Sequence, residues 1–377
     1  MSDFPKVRIL LVDDKPDRLK GLRQSLKDTA DVVIRHPLDV TSQDLQGVDL
    51  VSVDEYLGDD WEHTMATEPY LSRTSTRNLD GIAVAASFRS QIRRTVHVST
   101  GVPNFAVSLH TAELAILGED LPSHNRESLT AAQHDLDWVF EFNAAGLGSR
   151  FVQLALAVRS AGLAASAFRD DSGAGWLALP DENWNSTALE QIEVCRPPAH
   201  ALAENTQGRS YLRWLAQRIL PYPTFLLDEP HSANLLGIAL SSFEKLNDWA
   251  ETQSRAISFA GPLNAFLGRR WWRAGWQQLL ADAGVSSWDS AEVRAAAIGE
   301  LTGLPVVSLS NSQPVVVYDA DGAVVSIDVD ANDAVRLQAD GWPVYADDPW
   351  GELDDVRNDD RLNRLVSIVD RPRLAEK

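Results

Sequence analysis

Short apolar runs and helically spaced segments alternate through the first 145 residues of the chain. "VRILLV" is almost continuously apolar and rich in β-branched residues, the pattern of a strand covered on both faces. In "KPDRLKGLRQSLKD", Leu19, Leu22 and Leu26 recur at helical intervals, and Pro16 stands where a first turn tolerates proline. "ADVVIRH" and "VDLVSVD" read as the second and third strands, and "LDGIAVAASFRSQI" as an amphipathic helix. "RTVHVSTG" reads as the fourth strand, "LDWVFEFN" as the fifth, and "SRFVQLALAVRSAG" as the helix after it. Strands alternating with helices predict an α/β domain with a doubly wound, five-stranded parallel sheet. Two insertions interrupt the rhythm, a polar loop near 61–79 and a stretch near 102–134 that contains one or two helices. Loops of that length in a compact domain are usually functional.

Around "RDDSGAG" the composition turns to linker residues. Beyond it the pattern is mainly helical, through "GRSYLRWLAQRIL", "HSANLLGIALSSFEKLNDWAE", "GPLNAFLG", "RRWWRAGWQQLLADAG" and "SAEVRAAAIGELTG". Near 304–330 a small β element follows, in "LPVVSLS", "QPVVVYD" and "AVVSIDV", with "DADG" as a hairpin turn. The expected organisation is a first domain at 1–168 and an α-rich second domain at 176–377 that ends in an acidic tail.

Charge narrows the functions available. Net charge is −20 and the pI is near 4.7, so phosphate backbones are repelled and direct nucleic-acid binding is not expected. The only cysteine is Cys195, which excludes a disulfide within the chain and fits a reducing cytoplasm. The first residues lack a signal-peptide layout, and no apolar segment approaches a membrane span. Arginine outnumbers lysine and alanine is abundant, which suggests a GC-rich bacterial source. A cytoplasmic protein without membrane contact is the expectation.

The chemistry gathers at the strand ends. In an open parallel sheet, ligands collect at the carboxyl ends of the strands. The pattern places Asp13 and Asp14 after strand one, Asp54 after strand three and Thr100 after strand four. Three carboxylates brought together raise one another's pKa unless a cation compensates them. Mg²⁺, which takes carboxylate oxygens, a carbonyl and waters, does so. For Asp13 or Asp14 taken singly, the alternative is a cap on the next helix.

"ILLVDDKPDRL", "VDLVSVDEYLGDD", "LDGIAVAASFR" and "TVHVSTG", in that order, resemble the receiver domain of bacterial two-component response regulators. The resemblance covers about the first 150 residues. It implies Mg²⁺ held by Asp13, Asp14 and Asp54, with the Tyr56 backbone carbonyl as a further ligand. Asp54 would be the phosphoryl acceptor, and Thr100 the hydroxyl that reads the phosphate. It further implies protein partners, such as a histidine kinase or a co-encoded effector, and a homodimer formed through this domain. By analogy the setting is bacterial stress response or phage defence. Receivers carry a lysine at the end of strand five, and here that place falls on Glu141 or Phe142, depending on register. No lysine occurs between Lys27 and Lys245. Two readings follow, a slow phosphoacceptor and a pseudo-receiver that uses its surface for docking. If another cation replaces the lysine, Lys15, Arg73 and Arg77 are the nearest by sequence.

The remainder matches no known output domain. "DEPHSA" groups Asp228, Glu229 and His231, either as an acid/base or metal site or as loop residues capping a helix. Trp272 with Trp276, and Arg269 with Arg273, are spaced as a stacking platform or as a core face with an ion-paired face. Cys195 has no ordered nucleophile motif around it, and "GLGSR" lacks a P-loop lysine. A calcium loop starting at Asp328 fails, with Asp333 where glycine is needed and Ala339 where glutamate is needed. The competing classes are an enzyme with its site in the second domain and a non-catalytic scaffold.

Overall fold

The computed structural model describes residues 6–57, 80–95, 105–118, 125–163, 173–198 and 207–374. The chain divides into two compact units. Of the described residues, the first unit takes those up to 118, Arg126–Trp176 and Pro198–Gln217, so neither unit is one continuous stretch.

The first unit is a five-stranded parallel sheet, β1 (Val7–Val12), β2 (Ala30–Arg35), β3 (Leu50–Asp54), β4 (Ala106–Thr111) and β5 (Trp138–Glu141). The order β2-β1-β3-β4-β5 is the flavodoxin-like doubly wound arrangement, which receiver domains share. Helix α1 (Lys20–Leu26) follows a short 3-10 turn at Pro16–Leu19, where the proline occupies a first-turn position. Helices α2 (Gly81–Thr95), α3 (Leu114–Leu117), α4 (Arg126–Gln133) and α5 (Leu147–Leu163) complete the core of the unit. Val84, Ala85 and Phe88 of α2 close one face over Leu10, Val12, Val51, Val53, Val107 and Leu109. Helix α5 packs on β1, β3 and β4 with Phe151, Leu154 and Val158 fully buried. Burial on both faces is why these strands read as continuous apolar runs rather than alternating ones.

One strand differs from expectation. The strand beside β3 is Ala106–Thr111, not "RTVHVSTG"; Arg94 and Thr95 belong to α2. Thr100 lies outside the described residues, as does the whole of the expected insertion at 61–79, with Arg73 and Arg77. Every residue of β4 is buried, including Ser108, His110 and Thr111. Those polar side chains hide a covered strand from a pattern search, because their partners are distant in sequence. Ser108 donates to the Val51 carbonyl, and His110 bonds Ser52.

The second unit is largely helical with a small mixed sheet. Its helices include Asn185–Val194, Glu229–Leu236, Leu240–Thr252, Arg273–Asp282 and Ala291–Thr302. The long helix expected in "HSANLLGIALSSFEKLNDWAE" is two helices, broken at Gly237, whose φ of 70° ends the first of them. "GPLNAFLG" forms turns instead of helix, and "LPVVSLS" contributes only an isolated bridge at Ser308. The strands Pro314–Tyr318 and Val324–Asp330 pair as expected across the Asp319–Gly322 turn. The acidic tail is folded in part: Trp350–Glu352 joins the sheet, and the Trp342 ring packs edge-on against Tyr222 and Tyr318.

Candidate metal centre

The register brings the strand-end acids together. Val12 of β1 pairs with Val53 of β3, so Asp13 and Asp54 emerge side by side at the carboxyl edge. Oxygens of Asp13, Asp14 and Asp54 lie within 4.8 Å of one another. Asp13 is buried, and Asp14 and Asp54 are half-buried. Asp54 also pairs with His110 of β4, which adds an imidazole that sequence patterning did not reveal.

The start of α2 is drawn tightly against this edge. A Cβ on Gly81 would lie 1.9 Å from the Asp54 carbonyl oxygen, so only glycine permits the approach. Asp80 caps the helix, accepting from the Ala83 N–H at 2.8 Å. This gives the Asp80-Gly81 pair a purely local reason.

The Asp54 carboxyl is pushed up to about 6, chiefly by burial, with Asp13 and Asp14 adding to the rise and His110 opposing it. Burial acts in the same direction on Asp13, yet its carboxyl is held below the usual range by His110 and by the Lys15 backbone N–H, 2.5 Å away. The Lys15 ammonium stands 3.7 Å from Asp14 Oδ2 but is half exposed. His110 Nε2 is 4.0 Å from Asp13 Oδ2, beyond hydrogen-bonding distance, and has no hydrogen-bond partner among the described residues. Three converging hard oxygens form a donor set that fits a small divalent cation, and His110 Nε2, without a hydrogen-bond partner among the described residues, stands beside it. Tyr56 lies two residues beyond Asp54; its backbone N–H bonds the Asp54 carboxylate and its side chain is exposed.

Strand β5 ends on Glu141, which pairs with Thr111 and is exposed, so the strand places an acid where a lysine was sought. The Phe142 ring lies 5.9 Å from that of His110. The hydroxyl that closes the observed β4 is that of Thr111. It accepts from the Glu113 N–H at 3.0 Å and also bonds the Glu55 side chain.

The candidates of the second unit are absorbed by packing. Asp228 caps Glu229–Leu236 and bonds His231 Nδ1 at 2.5 Å, and His231 Nε2 meets the buried Tyr318 hydroxyl at 2.7 Å. Glu229 is exposed, so the expected trio does not assemble. Trp272 and Trp276 are core residues, while Arg269 pairs with Glu251 and Arg273 with Asp347. Burial pushes the Cys195 thiol up to about 11, which leaves it a poor nucleophile. Asp328 accepts from the Ser310 and Asn311 backbone N–H groups.

No protein-family model matches the sequence, and no curated protein matches it. Among the described residues no helix is long and apolar enough to cross a membrane. The fold and the cluster therefore define a class only: a flavodoxin-like, receiver-like unit with an acidic site able to coordinate a divalent cation, followed by a helical unit.

Proposed function

We propose that the first unit is a receiver-like regulatory module that binds Mg²⁺ through Asp13, Asp14 and Asp54 and passes the state of that site to a protein partner. The second unit is read as the interaction part of this signalling protein. The observation that carries the reading is the convergence of three carboxylates with one pKa raised to about 6, an arrangement that a divalent cation would relieve. The ion would screen the acids and withdraw charge from a group bound beside it.

Asp54 is the proposed phosphoryl acceptor. Its carboxylate oxygen would form the new bond to phosphorus as the bond to the donor's leaving group breaks; with acetyl phosphate, acetate departs. The hydroxyl role falls to Thr100 or to Thr111 of β4. Losing a positive partner for the phosphoryl oxygens typically costs about 3 kcal/mol, roughly a hundredfold in rate. With Glu141 ending β5, phosphorylation is therefore expected to be slow. A histidine kinase or co-encoded effector is the fitting partner, and stress or phage defence the proposed setting.

Intact-mass spectrometry with acetyl phosphate and Mg²⁺ tests the acceptor. Slow addition of one phosphoryl group, absent in Asp54→Ala, is expected. Addition that persists in Asp54→Ala would remove Asp54 from the role. No addition at all would leave the module a docking unit with a cation site.

A further inference from the structure

Ser52 and His110 face each other across neighbouring strands, with Ser52 Oγ 3.0 Å from His110 Nδ1. Ser52 is fully buried, and this is its one side-chain hydrogen bond among the described residues. A buried hydroxyl proton without an acceptor is costly, so the economical arrangement has Ser52 donating to Nδ1. With Nδ1 accepting, Nε2 carries an N–H. That N–H is directed toward the acid cluster from a side chain only 3% exposed, yet it stops 4.0 Å short of Asp13 Oδ2. The imidazole is also outside the set of converging ligand oxygens. Such a group is placed to donate to an oxygen that arrives with a ligand. Its flank is Phe142, which carries no charge, and β5 ends on an acid.

We infer that His110 supplies from β4 the donor that β5 lacks: its Nε2–H bonds an oxygen of a phosphoryl-class anion held at Asp54 beside the cation. This rests on the reading of the site as a Mg²⁺ centre. His110 touches the anion, and Ser52 is a positioning residue that fixes the tautomer.

The test uses the full chain with Mg²⁺ and beryllofluoride, whose fluorines stand in for phosphoryl oxygens, followed by ¹⁹F NMR. His110→Phe keeps a ring and removes the donor; His110→Gln keeps a side-chain N–H. Thermal melting verifies that each variant folds. A hydrogen bond to a charged group is worth enough that His110→Phe should bind beryllofluoride about tenfold more weakly or worse. His110→Gln should retain most of the affinity, and Mg²⁺ binding alone should be unchanged in both. Ser52→Ala, which leaves the imidazole in place, should show a smaller loss in the same direction. Wild-type affinity in His110→Phe would overturn the inference. So would equal losses in the Phe and Gln variants, or a parallel loss of Mg²⁺ binding. Wild-type protein that binds Mg²⁺ but no beryllofluoride would sink the inference and leave the cation reading standing. Protein that binds no Mg²⁺ would remove both.

Discussion

Asp137 and Asp54 belong to the same sheet but to its opposite edges. Asp137 precedes β5 and is fully buried. It accepts from Arg209 Nη2 at 2.6 Å, Arg213 Nε at 2.5 Å and the Val107 N–H at 2.7 Å. Burial alone would raise its carboxyl, but the two arginines hold it below the usual range. Asp49, which precedes β3, is treated alike, with Arg159 Nη2 at 2.6 Å and the Arg8 N–H at 2.7 Å. At the other edge, among the described residues, no arginine lies at such distances from Asp13 or Asp54, and Asp54 is driven up to about 6. Acids that serve the fold are neutralised within the unit. At the carboxyl edge Asp54 instead keeps a raised pKa.

Breaking the compensated edge has the largest expected effect. Arg213→Ala leaves Asp137 buried with half of its cationic support, and disruption of a buried pair typically costs about 3–5 kcal/mol. Urea denaturation should register that loss; a change under about 1 kcal/mol would mean that the arginines contribute little to the fold.

At the carboxyl edge the sign reverses for Asp54. Asp54→Asn removes a charge that the metal-free fold resists. Allowing for its partial exposure, we expect a gain of about 1–2 kcal/mol at pH 7 in chelator. The same substitution should weaken the response to Mg²⁺. Destabilisation in chelator would show that the cluster is compensated by contacts among the folded residues.

The legibility of the two edges differed in the same way. Asp13, Asp14 and Asp54 stood out because each ends an apolar run, and the parallel α/β sheet followed from the alternation of strands and helices. The arginines did not stand out, since Arg209 and Arg213 lie more than 70 positions from Asp137 and only folding pairs them. Strand β4 was misplaced because "RTVHVSTG" alternates cleanly, whereas "AVSLHT" mixes Ser, His and Thr into a fully buried strand. His110 was lost with it. The one sequence signal was a histidine closing an apolar stretch just before Thr111, and nothing local linked it to Ser52.

Titration should separate the edges by smaller amounts. Asp137, with its folded pKa depressed, contributes stability above the unfolded carboxylate value of about 3.9, and loses it as pH falls through the folded value. Asp54, with its folded pKa raised, costs nothing at low pH and its full penalty above about 6. In chelator, melting temperature should fall both below pH 4 and between pH 4 and 7. The second decline should shrink in Asp54→Asn to the part that the raised Glu55 carboxyl contributes, while the first remains. A wild-type profile flat from pH 4 to 7 would contradict the raised Asp54.

The central claim is that the Asp13–Asp14–Asp54 edge exists to hold a divalent cation. Isothermal titration of the full chain with Mg²⁺ at pH 7.5, beside the Asp14→Asn variant, tests it most directly. The account predicts saturable binding of one ion per chain in the millimolar range or tighter, abolished in Asp14→Asn although that variant melts normally. Absence of saturable binding in the wild type, or binding that survives Asp14→Asn unchanged, would contradict it.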